Sequence, residues 1–263
     1  MKMNRITHPS TATKFLDEDF KVKKSSTRKQ RSGKTLLNIC MILVGILILI
    51  ALLLPAGRRG RSQEAARRTQ CKSNLKQIEL ALFNYESTYG ALPPAYTVDA
   101  EGNALHSWRT LILPYLDESR LYEKIDLSKP WNDPVNAEAF NTRVTIFQCP
   151  STITVLKENH TTYMAVVGSN NCFLPNEPRK LSDITADRGE TLMVIEVAPE
   201  QSVHWMSPSD ADERLIVGFG PKTKFAHPGG TNAAFVDGRV RFLEATMPAA
   251  ELRAKIGITK NKE

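Results

Sequence analysis

The sequence predicts an α+β fold: one long N-terminal helix packed on an antiparallel sheet with large loops. Three observations predict it. An uncharged run of twenty residues, Thr35–Leu54, is followed by a stretch of helix formers, Ser62–Tyr89, with apolar residues at helical spacing. Short β-type runs then recur at Tyr163–Val167, Thr191–Val197, Asn232–Val236 and Val240–Leu243. Asp237-Gly238 between the last two is a hairpin signal, because a two-residue type I′ turn needs positive φ at both central positions. A helix followed by short antiparallel strands is the α+β pattern.

Thr35–Leu54 reads as a transmembrane helix. Twenty residues at about 1.5 Å rise span roughly 30 Å, the thickness of the hydrocarbon core. Only a helix satisfies all of its backbone hydrogen bonds there. A buried core helix of this length would carry a polar face, and here only Thr35 and Asn38 near its start are polar. Residues 1–34 are basic, Ser/Thr-rich and poor in apolar residues, so they read as a disordered tail. The fifteen residues before the run carry seven Lys+Arg and the fifteen after it five. That bias places the N-terminus in the cytoplasm and the rest outside it. With a 34-residue leader before a long apolar run, the segment reads as a signal anchor rather than a cleaved signal peptide.

Charge is split along the chain. Residues 1–90 hold 17 Lys+Arg against 6 Asp+Glu, and residues 91–263 hold 18 against 22, which sums to the overall +7. The basic character therefore belongs to the tail and the membrane-proximal segment, where anionic lipid is the natural partner. A nucleic-acid partner is not expected, because the folded domain itself lacks the positive field. The expected organisation is 1–34 tail, 35–54 span, 55–90 membrane-proximal helix and 91–263 extracytoplasmic α+β domain.

Within the helix, Cys71, Leu75, Ile78, Leu82, Tyr85 and Tyr89 fall at spacings of four, three, four, three and four, one apolar stripe. Gly57 and Gly60 loosen its start, Gly90 caps its end, and Pro93-Pro94 prevents continuation. Ser107–Leu116 reads as a short helix, Ser119–Ile125 as a helical turn, Val144–Gln148 as a strand and Pro248–Ile256 as a short helix. Asn261–Glu263 should fray.

Leu53–Tyr96 (LLPAGRRGRSQEAARRTQCKSNLKQIELALFNYESTYGALPPAY) resembles the opening of the domain-of-unknown-function 1559 family. Later landmarks follow in order: Ser107-Trp108, Leu113-Pro114-Tyr115, Leu121-Tyr122, Pro130-Trp131, Phe147 with Cys149-Pro150-Ser151, Thr162-Tyr163 with Gly168, Asp183-Ile184-Thr185, and HPGGTNAAFVDG at His227–Gly238. The last is the family's H-x9-D-G motif. The resemblance implies a fold similar to type IV pilins and secretion pseudopilins, with one helix half in the membrane and half packed on a sheet outside. Pro55 stands where such helices bend. It implies no established activity. The sequence departs from prepilins at the cleavage site: Lys34 stands where Phe is usual, and the Glu that serves filament assembly is missing, which favours a permanent anchor over a filament subunit.

Candidate chemistry is sparse. His227 and Asp237, with Pro228, Gly229, Gly230 and Gly238, form the motif. One reading is a small polar, metal or anion site where HPGG meets the hairpin. The other is structural, with His227 bonding a loop backbone, Pro228-Gly229-Gly230 turning the chain and Asp237-Gly238 closing the hairpin. One His and one Asp are too few for zinc. No hydrolase or zincin motif surrounds His106, His160 or His204, so no catalytic residue and no cofactor is expected. Cys71 and Cys149 both fall on positions of the family motif, and a disulfide between them would pin helix to sheet. Cys149–Cys172 and a fully reduced set are the alternatives. Trp108, Trp131 and Trp205 read as packing residues, with a carbohydrate-stacking platform as the other possibility. The functional expectation is a non-enzymatic, membrane-anchored pseudopilin-like envelope protein, partnered by lipid and by other pseudopilin-like or secretion components. The alternative is an extracytoplasmic binder of a ligand such as polysaccharide.

Overall fold

The computed structural model describes residues 34–50 and 57–259. Most of the basic tail, the end of the apolar run, Pro55 and Asn261–Glu263 lie outside the described residues. The chain divides into two compact units after Arg58. In the first, residues 34–50 are a helix, α1, whose apolar side chains are exposed all round. Among the described residues, no helix is long and apolar enough to cross a membrane.

The second unit has the expected α+β character. It contains all but the first two residues of α2 (Gly57–Tyr89), a helix 33 residues long and so about 50 Å at 1.5 Å per residue. The helix starts five residues before the predicted Ser62, so Gly57 and Gly60 do not interrupt it. Its end follows from Gly90, which takes φ 77° and donates its N–H to Glu86 O at 2.7 Å. Cys71, Leu75, Ile78 and Leu82 are fully buried. The stripe then leaves the core: Tyr85 is half-buried, and Tyr89, 65% exposed, packs on it with ring centroids 4.4 Å apart.

The principal sheet has four antiparallel strands in the order β4 (Tyr163–Ala165), β5 (Leu192–Glu196), β7 (Gly230–Phe235), β8 (Val240–Glu244). Two-residue alternation assigns their faces. Tyr163, Ala165, Val194, Ala234 and Val240 pack with Cys71, Leu75, Ile78 and Leu82 of α2. Met164, Leu192, Ile195, Ala233, Phe235 and Leu243 pack on the other face with Ile216 of α6 (Glu213–Val217) and with Leu252 and Ile256 of α7 (Ala249–Ile256). Pairing passes from Leu192↔Phe235 to Val194↔Ala234. This bulge puts Met193 and Val194 on the helix side together. Beyond it, Glu196 also points to the α2 side.

The long segment between α2 and β4 holds the pair β1 (Tyr96–Val98) and β2 (Ala104–Ser107), three one-turn helices, α3 (Trp108–Leu111), α4 (Ser119–Tyr122) and α5 (Ala137–Phe140), and 3-10 turns. A further small pair joins β3 (His160–Thr161) to β6 (Val203–His204). The predicted strand at Val144–Gln148 is instead a 3-10 turn, Thr145–Phe147. Its N–H groups close on the same segment, Phe147 to Val144 O and Gln148 to Thr145 O, both at 3.1 Å, while Phe147 stacks on Trp205. The predicted helix at Ser107–Leu116 is shorter. Ser107 ends β2 and caps α3 by accepting from Arg109 N, and Pro114 sits in a 3-10 turn, Leu113–Tyr115. The β7–β8 hairpin also differs from a two-residue turn. Phe235 N–H bonds Arg239 O, leaving Val236, Asp237 and Gly238 as the loop, and only Gly238, at φ 86°, is left-handed there. This is the three-residue loop with glycine at its last position.

Candidate functional site

The sheet's helix-facing side is apolar except at one end of β5 and β7. There Glu196 ends β5, and His227 precedes β7 across a tight turn at Pro228-Gly229. Gly229 takes φ 88°, and a Cβ on Gly230 would stand 2.0 Å from Leu243 O, so only glycine lets β7 start against β8. The turn directs the His227 ring beneath α2. Its Nδ1 lies 2.8 Å from Glu64 Oε1, and its Nε2 lies 3.3 Å from Glu196 Oε2 and 3.5 Å from Cys149 Sγ.

Cys149 is bonded to Cys71 of α2, with Cα atoms 5.2 Å apart. Asn74, one turn further along α2, donates to Gln148 O at 2.9 Å and holds the same loop. Asn232 Nδ2 donates to Glu196 Oε2 at 3.3 Å. Glu196 Oε1 is buried without a hydrogen-bond partner among the described residues. His227, Glu196, Cys71 and Cys149 are all buried, and Glu64, 29% exposed at its side chain, is the cluster's link to solvent. Ser151 Oγ reaches Glu64 at 3.3 Å.

The electrostatics follow from this packing. Burial disfavours the imidazolium, but Glu196 and then Glu64 outweigh it and raise the His227 pKa above its ordinary value. The neighbouring Tyr163 phenol is pushed well up, first by burial and then by the Glu196 charge. The arrangement is thus an imidazole clamped between two carboxylates and set against a disulfide. Such a buried cluster can hold a proton or a small cation.

Asp237 is elsewhere. It caps the far end of β7, six strand residues or roughly 20 Å from His227. There it accepts from Arg239 N at 3.0 Å and pairs with Arg239 Nε at 3.4 Å. The intervening strand therefore keeps His227 and Asp237 from forming one polar site. The hairpin tip instead meets α2 through Lys76, which donates to Gly238 O and pairs with the buried Glu79 at 3.1 Å. Burial raises the Glu79 pKa to about 7, against the opposing effect of Lys76 and with a further push from Asp237.

Two of the three tryptophans are unavailable as a stacking platform. Trp108 and Trp205 are buried, their indole N–H groups bonded to Asp210 and to Thr142 O, each at 3.0 Å. Trp131 packs on His204 and Phe140. His204 receives Met206 N–H on Nδ1 and lies 2.9 Å from Phe140 O, and burial lowers its pKa to about 4. His106 is likewise buried and bonded to Lys129 O. Cys172 is a buried free thiol, pushed up to about 12 by burial.

Glu64 and Glu196 were not singled out from the sequence. Glu196 carried a signal all the same: a lone carboxylate inside the apolar run TLMVIEV is rarely buried without a partner. Glu64 carried none, being one helix former among many.

A family described as a protein of unknown function (DUF1559) matches residues 61–171. The match contains Glu64, Cys71 and Cys149, and ends before Glu196 and His227. No curated protein and no solved structure matches the chain.

Proposed function

We propose that this chain, whose residues 61–171 match the DUF1559 family, is a single-pass, membrane-anchored, pseudopilin-like envelope protein. On this reading residues 91–263 lie outside the cytoplasmic membrane and serve in assembly, secretion-related scaffolding or surface binding. The observation that carries it is α1. Every large apolar side chain from Leu36 to Ile50 is at least 47% exposed, on all sides of the helix. A helix apolar all round is stable in water only when covered, and lipid is the cover its uncharged run suits.

Two further features support the reading. A disulfide inside the core suits an oxidising, extracytoplasmic compartment. A long helix laid on an antiparallel sheet is the arrangement the family resemblance implies. Alkaline extraction of membranes tests the anchor: the full chain is expected to stay with the bilayer, and an Ile46→Lys/Leu49→Lys variant to be released. Release of the parent chain would sink the anchor.

A second reading, ligand binding, draws on a groove of about 390 Å³ beside α2, lined by Gln70, Asn74, Gln77, Arg143 and Gln148. Amide side chains suit a polyhydroxylated ligand. A glycan screen separates the two readings: binding abolished by Gln77→Ala supports this one, and silence across the screen supports the scaffold.

A further inference from the structure

The Glu196–His227 cluster leaves one feature unexplained by packing: a buried carboxylate with an orphaned oxygen beside two sulfurs and an imidazole nitrogen. One ligand atom from each of Cys71, Cys149, Glu196 and His227 falls in a group whose members all lie within 4.8 Å of one another. We propose that in the dithiol state these four residues form a tetrahedral zinc site, and that the metal and the Cys71–Cys149 disulfide are mutually exclusive occupants of one position.

The geometry is close to what zinc requires. Zn–S near 2.3 Å and Zn–N or Zn–O near 2.0–2.1 Å give tetrahedral edges of about 3.6 Å between sulfur and nitrogen and about 3.3 Å between nitrogen and oxygen. The corresponding separations are 3.5 Å from Cys149 Sγ to His227 Nε2 and 3.3 Å from His227 Nε2 to Glu196 Oε2. The two sulfurs must part, to about 3.8 Å, which rotation of one cysteine side chain provides, and the remaining ligand atoms already lie within 4.8 Å of one another. Two thiolates with an imidazole select zinc over magnesium or calcium.

The surroundings are also those of a metal site. Ligating histidines hand their other ring N–H to a carboxylate, which fixes the tautomer and the ring orientation. His227 Nδ1 has Glu64 Oε1 at 2.8 Å in that role. Asn232 orients the Glu196 carboxylate through Oε2. Oε2 is then the oxygen that joins the metal, as the 3.3 Å edge requires, and Oε1 stays buried beside it without a hydrogen-bond partner among the described residues.

The exchange balances with a dithiol reductant. Its two thiols become a disulfide as the Cys71–Cys149 bond accepts two electrons and two protons. Zinc then displaces both thiol protons on binding. A small-molecule disulfide reverses the sequence: it takes the two electrons, and two protons from solvent, as the Cys71–Cys149 bond re-forms and the metal is released.

The test uses the full chain in detergent, reduced with excess dithiol under argon, supplied with Zn²⁺ or Co²⁺ and desalted. The reduced chain is expected to retain one equivalent of zinc and the oxidised chain none. Cobalt should give thiolate-to-metal charge-transfer absorption that weakens in Cys149→Ser. Glu196→Gln, which keeps the side-chain volume, should weaken zinc binding by about tenfold or more. Glu64→Ala should weaken it by roughly 10–100-fold, as loss of a partner outside the ligand set does. Cys172→Ser should bind as the parent does. Zinc should also raise the melting temperature of the reduced parent, since metal binding is coupled to folding. The proposal is overturned if the reduced chain retains no stoichiometric metal, if the oxidised chain retains as much, or if Cys149→Ser and Glu196→Gln bind as the parent does.

Discussion

His227 Nδ1 and Glu64 Oε1 stand 2.8 Å apart, although 163 residues separate them in the chain. The contact ties the first turns of α2 to the start of β7. Together with the Cys71–Cys149 bond and the Asn74–Gln148 contact, it makes one seam joining helix, loop and sheet.

Removing His227 from the oxidised protein leaves Glu196 buried without its counter-charge. Breaking a buried pair on one side costs about 3–5 kcal/mol, so His227→Ala should lower the urea midpoint accordingly. Glu196→Gln added to that variant should recover part of the loss. Glu64→Ala, at a part-exposed site, should cost about 1 kcal/mol or less. Equal losses for Glu64→Ala and His227→Ala would contradict the proposed hierarchy.

The disulfide closes a loop with a sequence separation of 78. On the chain-entropy view such a loop is worth about 4–5 kcal/mol. Reductant should therefore lower the melting temperature of the parent and leave a Cys71→Ser/Cys149→Ser double variant unmoved. Cys172→Ser should keep the parent's response to reductant. Thermal melts with and without reductant check this.

Glu79 gives a pH signature. Its folded pKa, about 7, lies above the ordinary 4.5, so the native state holds the proton more tightly than the unfolded chain. Its contribution is therefore fully present below about pH 4.5 and is lost as pH rises to about 7. Glu79→Gln should be close to neutral at pH 5 and stabilising at pH 8, by an amount on the order of 1–3 kcal/mol. Urea midpoints of parent and variant at the two pH values test the sign, and a variant less stable at pH 8 than at pH 5, relative to the parent, would refute it.

Arg109 and Asp210 form a fully buried pair at 2.6 Å, and Trp108 Nε1 and Ala165 N also donate to the same Asp210 oxygen. Asp210→Asn should cost about 3–5 kcal/mol by stranding the guanidinium. A double variant, Arg109→Met with Asp210→Asn, should be less damaged than the two single losses summed. Additive losses in a double-mutant cycle would show that the pair is not coupled.

The local chemistry of the sequence predicted much of this architecture. Cys71, Leu75, Ile78 and Leu82 marked the buried face of α2, because burial on one face writes a period into a helix, and short apolar runs marked β5, β7 and β8, the first two of which are buried throughout. Val144–Gln148 misled because a short apolar run without a partner strand folds back on itself. The hairpin loop gained a residue because Phe235 pairs with Arg239, which no dipeptide signal encodes. At the site, His227 and the two cysteines stood out by residue type. Glu64 and Glu196 did not, because what singles them out is their convergence on one imidazole from α2 and from β5. Of the two readings of the motif, a shared polar site needs His227 and Asp237 to meet, and the extended strand between them holds them apart.

The proposed placement of the folded domain outside the cytoplasmic membrane is tested most directly by protease added to intact spheroplasts expressing the chain with a tag at each end. The C-terminal tag should be lost before lysis while the N-terminal tag survives until the membrane is broken. Survival of the C-terminal tag in intact spheroplasts, with loss only after lysis, would contradict the account.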